Sequence, residues 1–207
     1  MPNVQETYKK VVVPALKQKR GYKNDLEVPR LRKIIISSGI GSKMEKDAFT
    51  EAKEHFAMIT GQQCVVTKSK KNIANFKLRS GMPVGVMVTL RGRRMYDFLD
   101  RLTHNVLPRV RDFRGIAKTG FDGSGNYNFG LNDITVFPEV DLDKVKRQIG
   151  LNITFVTSAK TNEEAFRVGV EWAIEQSKGL IRFGVPVIHY FTVGVSENIR
   201  QIASAIF

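Results

Sequence analysis

Residues 84–90 (VGVMVTL) alternate without a break: Val84, Val86, Val88 and Leu90 point one way, and Gly85, Met87 and Thr89 point the other. A repeat of two belongs to an extended strand, whose successive side chains fall on opposite faces. One face of this strand is wholly apolar; the other is light and partly polar. Such a strand fits a sheet packed on one side and open on the other. The open side is free for a ligand, and the rest of the chain must cover the packed side.

The cover is predicted to be amphipathic helix. Tyr8, Val11, Val12, Ala15 and Leu16 recur at helical spacing across 6–19, with Lys9, Lys10, Lys17 and Lys19 on the polar side. Pro14 is awkward inside this helix and predicts a kink, and Gly21 stops it. A second helix is expected over 47–60, burying Ala48, Phe49, Ala52, Phe56 and Ile59, with His55 beside that stripe and Gly61 as its C-cap. A third shows Met95, Tyr96, Leu99, Leu102 and Val106 on one stripe and ends at Pro108. Further strands are predicted at 31–38, 64–67, 134–137 and 149–157, and a turn or hairpin at 121–132. Thr161 to Glu164 (TNEE) forms a capping box that opens a helix through Trp172.

Charge is distributed unevenly. The formal net charge is +13, but residues 1–118 carry 25 Lys and Arg against 10 Asp and Glu, while residues 119–207 carry 8 against 10. A solubility device would not need that asymmetry, so an anionic partner is expected. The densest run is Thr67 to Arg79 (TKSKKNIANFKLR), a long loop between two strands with Lys68, Lys70, Lys71, Lys77 and Arg79 and no acid. Two readings stand. In one, the cations neutralise the phosphates of a nucleic acid while Phe76 stacks or anchors the loop. In the other, this is a basic surface loop with Phe76 tucked into the core. Arg91 and Arg94 precede the third helix, and Arg109, Arg111 and Arg114 follow it. Arginine suits phosphate because its planar guanidinium grips two oxygens at once and stacks on bases.

Patterns for catalysis or metal binding are missing. His55, His104 and His189 are far apart, and no H-E-x-x-H, C-x-x-C or G-x-S-x-G occurs. Gly39-Ile40-Gly41 lacks the third glycine of a dinucleotide turn and the Gly-Lys-Ser/Thr of a P-loop, so a strand exit is expected. Gly120 to Gly123 is formally GxxG, but Asp122 opposes phosphate there. No catalytic residue, cofactor or metal is expected. Cys64 is the single cysteine, read as a small buried hydrophobe, so no internal disulfide forms. No apolar run reaches 18 residues and the first residues lack a secretory apolar core, which suggests a cytoplasmic protein without a membrane partner.

The ordered motifs VPR-x-x-K-I-x-I, TGQ, TKSKKNIANFKLRSGMPVG, VTLRG-x-RM-x-x-F-x-x-RL, PR-x-RDFRG, FDG-x-GNY and FPE-x-D-x-DK run from about Tyr8 to Arg167. In this order they resemble the bacterial large-subunit ribosomal protein five, the 5S rRNA-binding family of the central protuberance. The resemblance implies an α+β fold, an antiparallel sheet with helices packed on one face, spanning 1–177. It implies a ribosome-bound structural role among large-subunit rRNA and neighbouring large-subunit proteins. Ser37, Gln62, Thr89, Arg91 and Arg94 would meet 5S rRNA. Lys68, Lys70, Lys71, Phe76, Lys77 and Arg79 would reach P-site tRNA, and Arg109, Arg111 and Arg114 would add RNA contacts. Small-subunit ribosomal protein thirteen would be met across an intersubunit bridge. Ser37 stands where the family usually carries Asn, and still offers a hydrogen bond. Residues 178–207 form an extension with no counterpart in the resemblance.

Overall fold

A computed structural model of the chain describes residues 4–41, 46–111, 118–141, 145, 147–165 and 204–205. Arg114, the helix expected beyond Ala165 and nearly all of the 178–207 extension lie outside these residues. The chain divides into two compact units, one of Lys33–Val110 with Asn128–Phe155, the other of Met1–Arg32, Arg111–Tyr127 and Val156–Phe207.

An antiparallel sheet of five strands organises the first unit: β1 (Leu31–Gly39), β2 (Val65–Lys68), β3 (Pro83–Leu90), β4 (Tyr127–Leu131) and β5 (Leu151–Thr157), in the order β2-β3-β1-β5-β4. The expected α+β class is observed. The alternating strand takes a central place, with β1 on one side and β2 on the other. Directly opposed residues share a face, so the pairs Ile34–Leu90 and Ile36–Val88 form the packed side, and all four are buried. Leu151 and Ile153 of β5 and Leu131 of β4 are buried as well. Gly85 lets β1 and β3 close: a Cβ there would stand 2.3 Å from the Ser38 carbonyl oxygen. Just beyond, the Val84 carbonyl accepts from both Ile40 N–H and Gly41 N–H, at 3.0 and 3.1 Å. The glycine pair is thus a strand exit.

The Lys46–Thr60 helix buries Ala48, Phe49, Ala52, Phe56 and Ile59, the stripe its periodicity predicts. His55 joins them inside; its Nε2 lies 3.7 Å from Glu51 Oε1. Gly61 closes the helix with φ +64° and its N–H on the Ala57 carbonyl. The Gly92–Arg101 helix runs on through a π turn at Leu102–Val106 and a 3-10 turn at Leu107–Arg109. Its buried residues are Met95, Phe98, Leu102 and Val106, and Phe98 stacks on Phe137 at 6.2 Å. Phe98 thus holds the central place in the stripe, where the sequence pointed to Tyr96 and Leu99. The helical path stops at Arg109, one residue past the expected end at Pro108, and Val110 is extended. The Pro108 ring would crowd the carbonyl four residues back, and the wider π turn before it relieves that clash. The segment expected as a strand at 134–137 is a 3-10 turn, Ile134–Val136. Asp133 forces the change, because its side chain accepts the Thr135 N–H at 2.9 Å and caps the turn.

In the second unit the N-terminal helix comprises Val4–Thr7, a π turn Tyr8–Val12 and Val13–Arg20. The π turn ends immediately before Val13-Pro14, the same accommodation of proline. Val12 and Leu16 bury against Val28, with Tyr8, Val13 and Tyr22 packed around them. Half of the predicted capping box is present: Glu164 N–H donates to Thr161 Oγ1 at 3.2 Å, but the Glu164 carboxylate accepts Lys160 N–H, one residue before the cap, at 2.8 Å. No helix among the described residues is long and apolar enough to cross a membrane.

Candidate nucleic-acid interface

The side of the sheet away from the core follows from the register. Ile35 opposes Thr89, Ser37 opposes Met87, and Met87 opposes Val65. Val65 is 65% exposed and Met87 37%. Farther across, Thr154 Oγ1 donates to Asn128 Oδ1 at 2.6 Å, and Asn128 and Asn152 are both exposed. None of the five strands contains an Asp or Glu. An anion approaching this face therefore meets hydroxyls, amides and small apolar side chains, and no carboxylate from the strands themselves.

Of the expected residues, Ser37 and Thr89 lie on this open face, each partly exposed. Gln62 stands at its margin, before β2 begins. Its side-chain amide donates to the Thr89 carbonyl at 3.3 Å, taking the place of a strand partner that β2 is too short to supply. Arg91 and Arg94 are exposed at the start of the Gly92–Arg101 helix, directly after β3. That first turn has no acidic residue, so arginine charge adds to the positive end of the helix dipole. Cations are unfavourable there unless an anion joins them. Arg93 is drawn off in part, with Nε 3.7 Å from Asp97 Oδ2. Arg109 and Arg111 are exposed; Arg114 lies outside the described residues.

Between β2 and β3 the basic run forms a laced hairpin. Ser69 and Met82 are joined through Ser69 N–H to Met82 O at 2.8 Å, and Gly81 N–H returns to Ser69 O at 2.9 Å. Ile73 and Leu78 exchange two backbone bonds, at 2.9 and 3.0 Å, around the Ala74–Phe76 turn. Asn72 Oδ1 accepts Ser80 N–H at 2.7 Å. Phe76 is 66% exposed, which removes the reading that tucks it into the core. Lys68, Lys70, Lys71, Lys77 and Arg79 are all exposed, and none forms an ion pair among the described residues.

One other expectation resolves chemically. The Asp122–Asn126 turn is self-satisfied: Asp122 accepts Ser124 N–H, Asn126 N–H and the Asn126 side chain, while Asn162 Oδ1 accepts Gly123 and Gly125 N–H at 3.0 Å. The Asn126 side chain first, then Ser124 N–H, holds the Asp122 carboxyl below its ordinary range. Those amides are taken, so the formal GxxG offers no phosphate cradle. Arg101, the arginine of the closing RL pair of VTLRG-x-RM-x-x-F-x-x-RL, is half-buried: Nη1 donates to Glu139 Oε1, and Nη2 donates to the Ile59 carbonyl at 2.9 Å. Asn128, Asn152 and Thr154 were missed, although their polar alternation in YNFGL and LNITFVT could have disclosed them. Cys64 is buried, and burial pushes its thiol upward from the usual value.

Comparison with known proteins adds an independent line. A family model described as Ribosomal protein L5 matches residues 24–79, and a second model, describing the C-terminus of the same ribosomal family, matches 83–176. The large ribosomal subunit protein uL5 of Flavobacterium johnsoniae is 54% identical over 165 residues, covering 79% of this chain and 90% of that protein. The protein of the same name from Desulfotalea psychrophila is 51% identical over 165 residues, covering 79% of this chain and 92% of its own length. That of Clostridium tetani is 47% identical over 191 residues, covering 91% and 99%.

Proposed function

The chain belongs to the L5 family of large ribosomal subunit proteins, and from that premise we propose that its open sheet face docks 5S rRNA into the large subunit. The family role is that of a structural, non-enzymatic constituent of the subunit. The observation that carries the finer reading is the acid-free open face bordered by Arg91 and Arg94. Folded RNA is recognised through shape, phosphates, 2′-hydroxyls and unstacked bases. Ser37, Thr89 and Asn128 offer hydrogen bonds to sugars and base edges. Val65 and Met87 offer an apolar surface, and the arginines take the phosphates.

The basic hairpin has a different task in this reading. It stands clear of the core and carries its charge without ion pairs among the described residues, so it reaches outward to P-site tRNA. Arg109, Arg111 and Arg114 add contacts to large-subunit rRNA. A small-subunit head protein, ribosomal protein thirteen, is the partner across the intersubunit bridge. Photo-crosslinkers placed at positions 70 and 91 in assembled ribosomes test this division. Position 91 should label 5S rRNA and position 70 should label tRNA. Labelling of tRNA from 91, or of 5S rRNA alone from 70, would reverse the assignment.

A further inference from the structure

Lys77 has φ +53°, the one positive value at a non-glycine position among the described residues. An L side chain is disfavoured in that conformation by roughly five- to thirtyfold per residue. The conformation is built in: Lys77 caps the Ala74–Phe76 turn, its N–H donates to the Ala74 carbonyl at 3.0 Å, and the next residue, Leu78, closes the bridge to Ile73. Reversing the chain within so few residues leaves Phe76 at the tip, 66% exposed. We infer that Lys77 is a positioning residue whose left-handed backbone, separately from its charge, aims the Phe76 ring outward to stack on an exposed base of folded RNA.

This inference rests on the reading of the hairpin as a tRNA contact. It adds that the tip is shaped before RNA arrives. A ring already directed outward loses less freedom on binding than one carried by a mobile loop. Charge and conformation at one residue are separable, because Gly and Asn tolerate positive φ whereas a β-branched residue does not.

The test uses full-length chain carrying Lys77→Gly, Lys77→Asn or Lys77→Ile, incorporated into large subunits, with the dissociation rate of deacylated P-site tRNA read over a salt series. All three variants lose one charge, so each should lower the magnitude of the log–log salt slope by the same amount, about 0.7. Lys77→Ile should also release tRNA roughly tenfold faster than the other two at every salt concentration. In the free chain, the short amide contact between Ala74 and Lys77 seen by NMR should persist in the Gly and Asn variants and vanish in the Ile variant. Equal release by all three variants would overturn the inference and leave Lys77 a simple charge. Retention of the turn by the Ile variant would overturn it too. The underlying reading is checked separately by replacing Lys68, Lys70, Lys71, Lys77 and Arg79 together with Gln. If that variant holds tRNA like the unaltered chain, the tRNA reading fails and the inference fails with it.

Discussion

Gln62 and Thr89 are bonded to each other, the Gln62 side-chain amide donating to the Thr89 carbonyl at 3.3 Å. The bond occupies the edge of β3 at the point where β2 has not yet begun. It also fixes which way the amide faces, leaving its oxygen available to a ligand. Gln62→Ala should therefore destabilise the protein by about 1 kcal/mol, the net worth of one hydrogen bond, and weaken 5S rRNA binding as well. Urea unfolding and filter binding measure the two effects. Unchanged stability would mean that the Thr89 carbonyl is equally well served by water.

Gly85 is required by space. An added Cβ would stand 2.3 Å from the Ser38 carbonyl oxygen and 3.2 Å from Thr67 Oγ1. The first neighbour is backbone in the adjacent strand and cannot swing aside. Gly85→Ala should cost about 1–3 kcal/mol, the usual range for overpacking. Thermal denaturation should show a lower Tm; a Tm equal to that of the unaltered protein would mean β1 and β3 separate without penalty.

Phe76 allows stability and binding to be separated. Because the ring is largely exposed, Phe76→Ala should change unfolding free energy by no more than about 0.5 kcal/mol. Loss of one stacked base should weaken tRNA retention by about 1–3 kcal/mol. A large fall in stability with unaltered retention would return Phe76 to a packing role.

The Asp122 turn should respond to acid. Its carboxyl is held low, by the Asn126 side chain and then by Ser124 N–H. A group with a depressed folded-state pKa stabilises above its unfolded pKa and loses that contribution as pH falls through the folded value. The Gly123 to Asn126 amide resonances should therefore hold steady near neutrality and titrate at a lower pH than an ordinary aspartate would give. Asp122→Asn should abolish that transition; persistence of the transition would assign it to another group.

Much of this was legible in the chain because two-residue and three-to-four-residue repeats are local properties. The β3 alternation gave both faces of the sheet, and the Lys46–Thr60 stripe matched the buried residues. What escaped depended on particular side-chain partners, which periodicity does not show. Arg101 is tied to Glu139 and to the Ile59 carbonyl, 38 and 42 residues away, and no local pattern shows either partner. Residues 134–137 have strand-like composition, yet a single cap from Asp133 folds them into a turn. The Asn128–Thr154 pair joins two strands whose adjacency no local pattern announces.

Met87 lies between Ser37 and Val65 in the middle of the open face, so filter binding of full-length Met87→Glu to 5S rRNA tests the account most directly. A carboxylate there should stay solvated and leave the fold intact, while repelling RNA. Affinity at low ionic strength should fall by at least tenfold, on the order of 1.4 kcal/mol, with the circular dichroism spectrum and Tm unchanged. Equal binding by the Glu variant and the unaltered chain, or no binding of 5S rRNA by either, would contradict it.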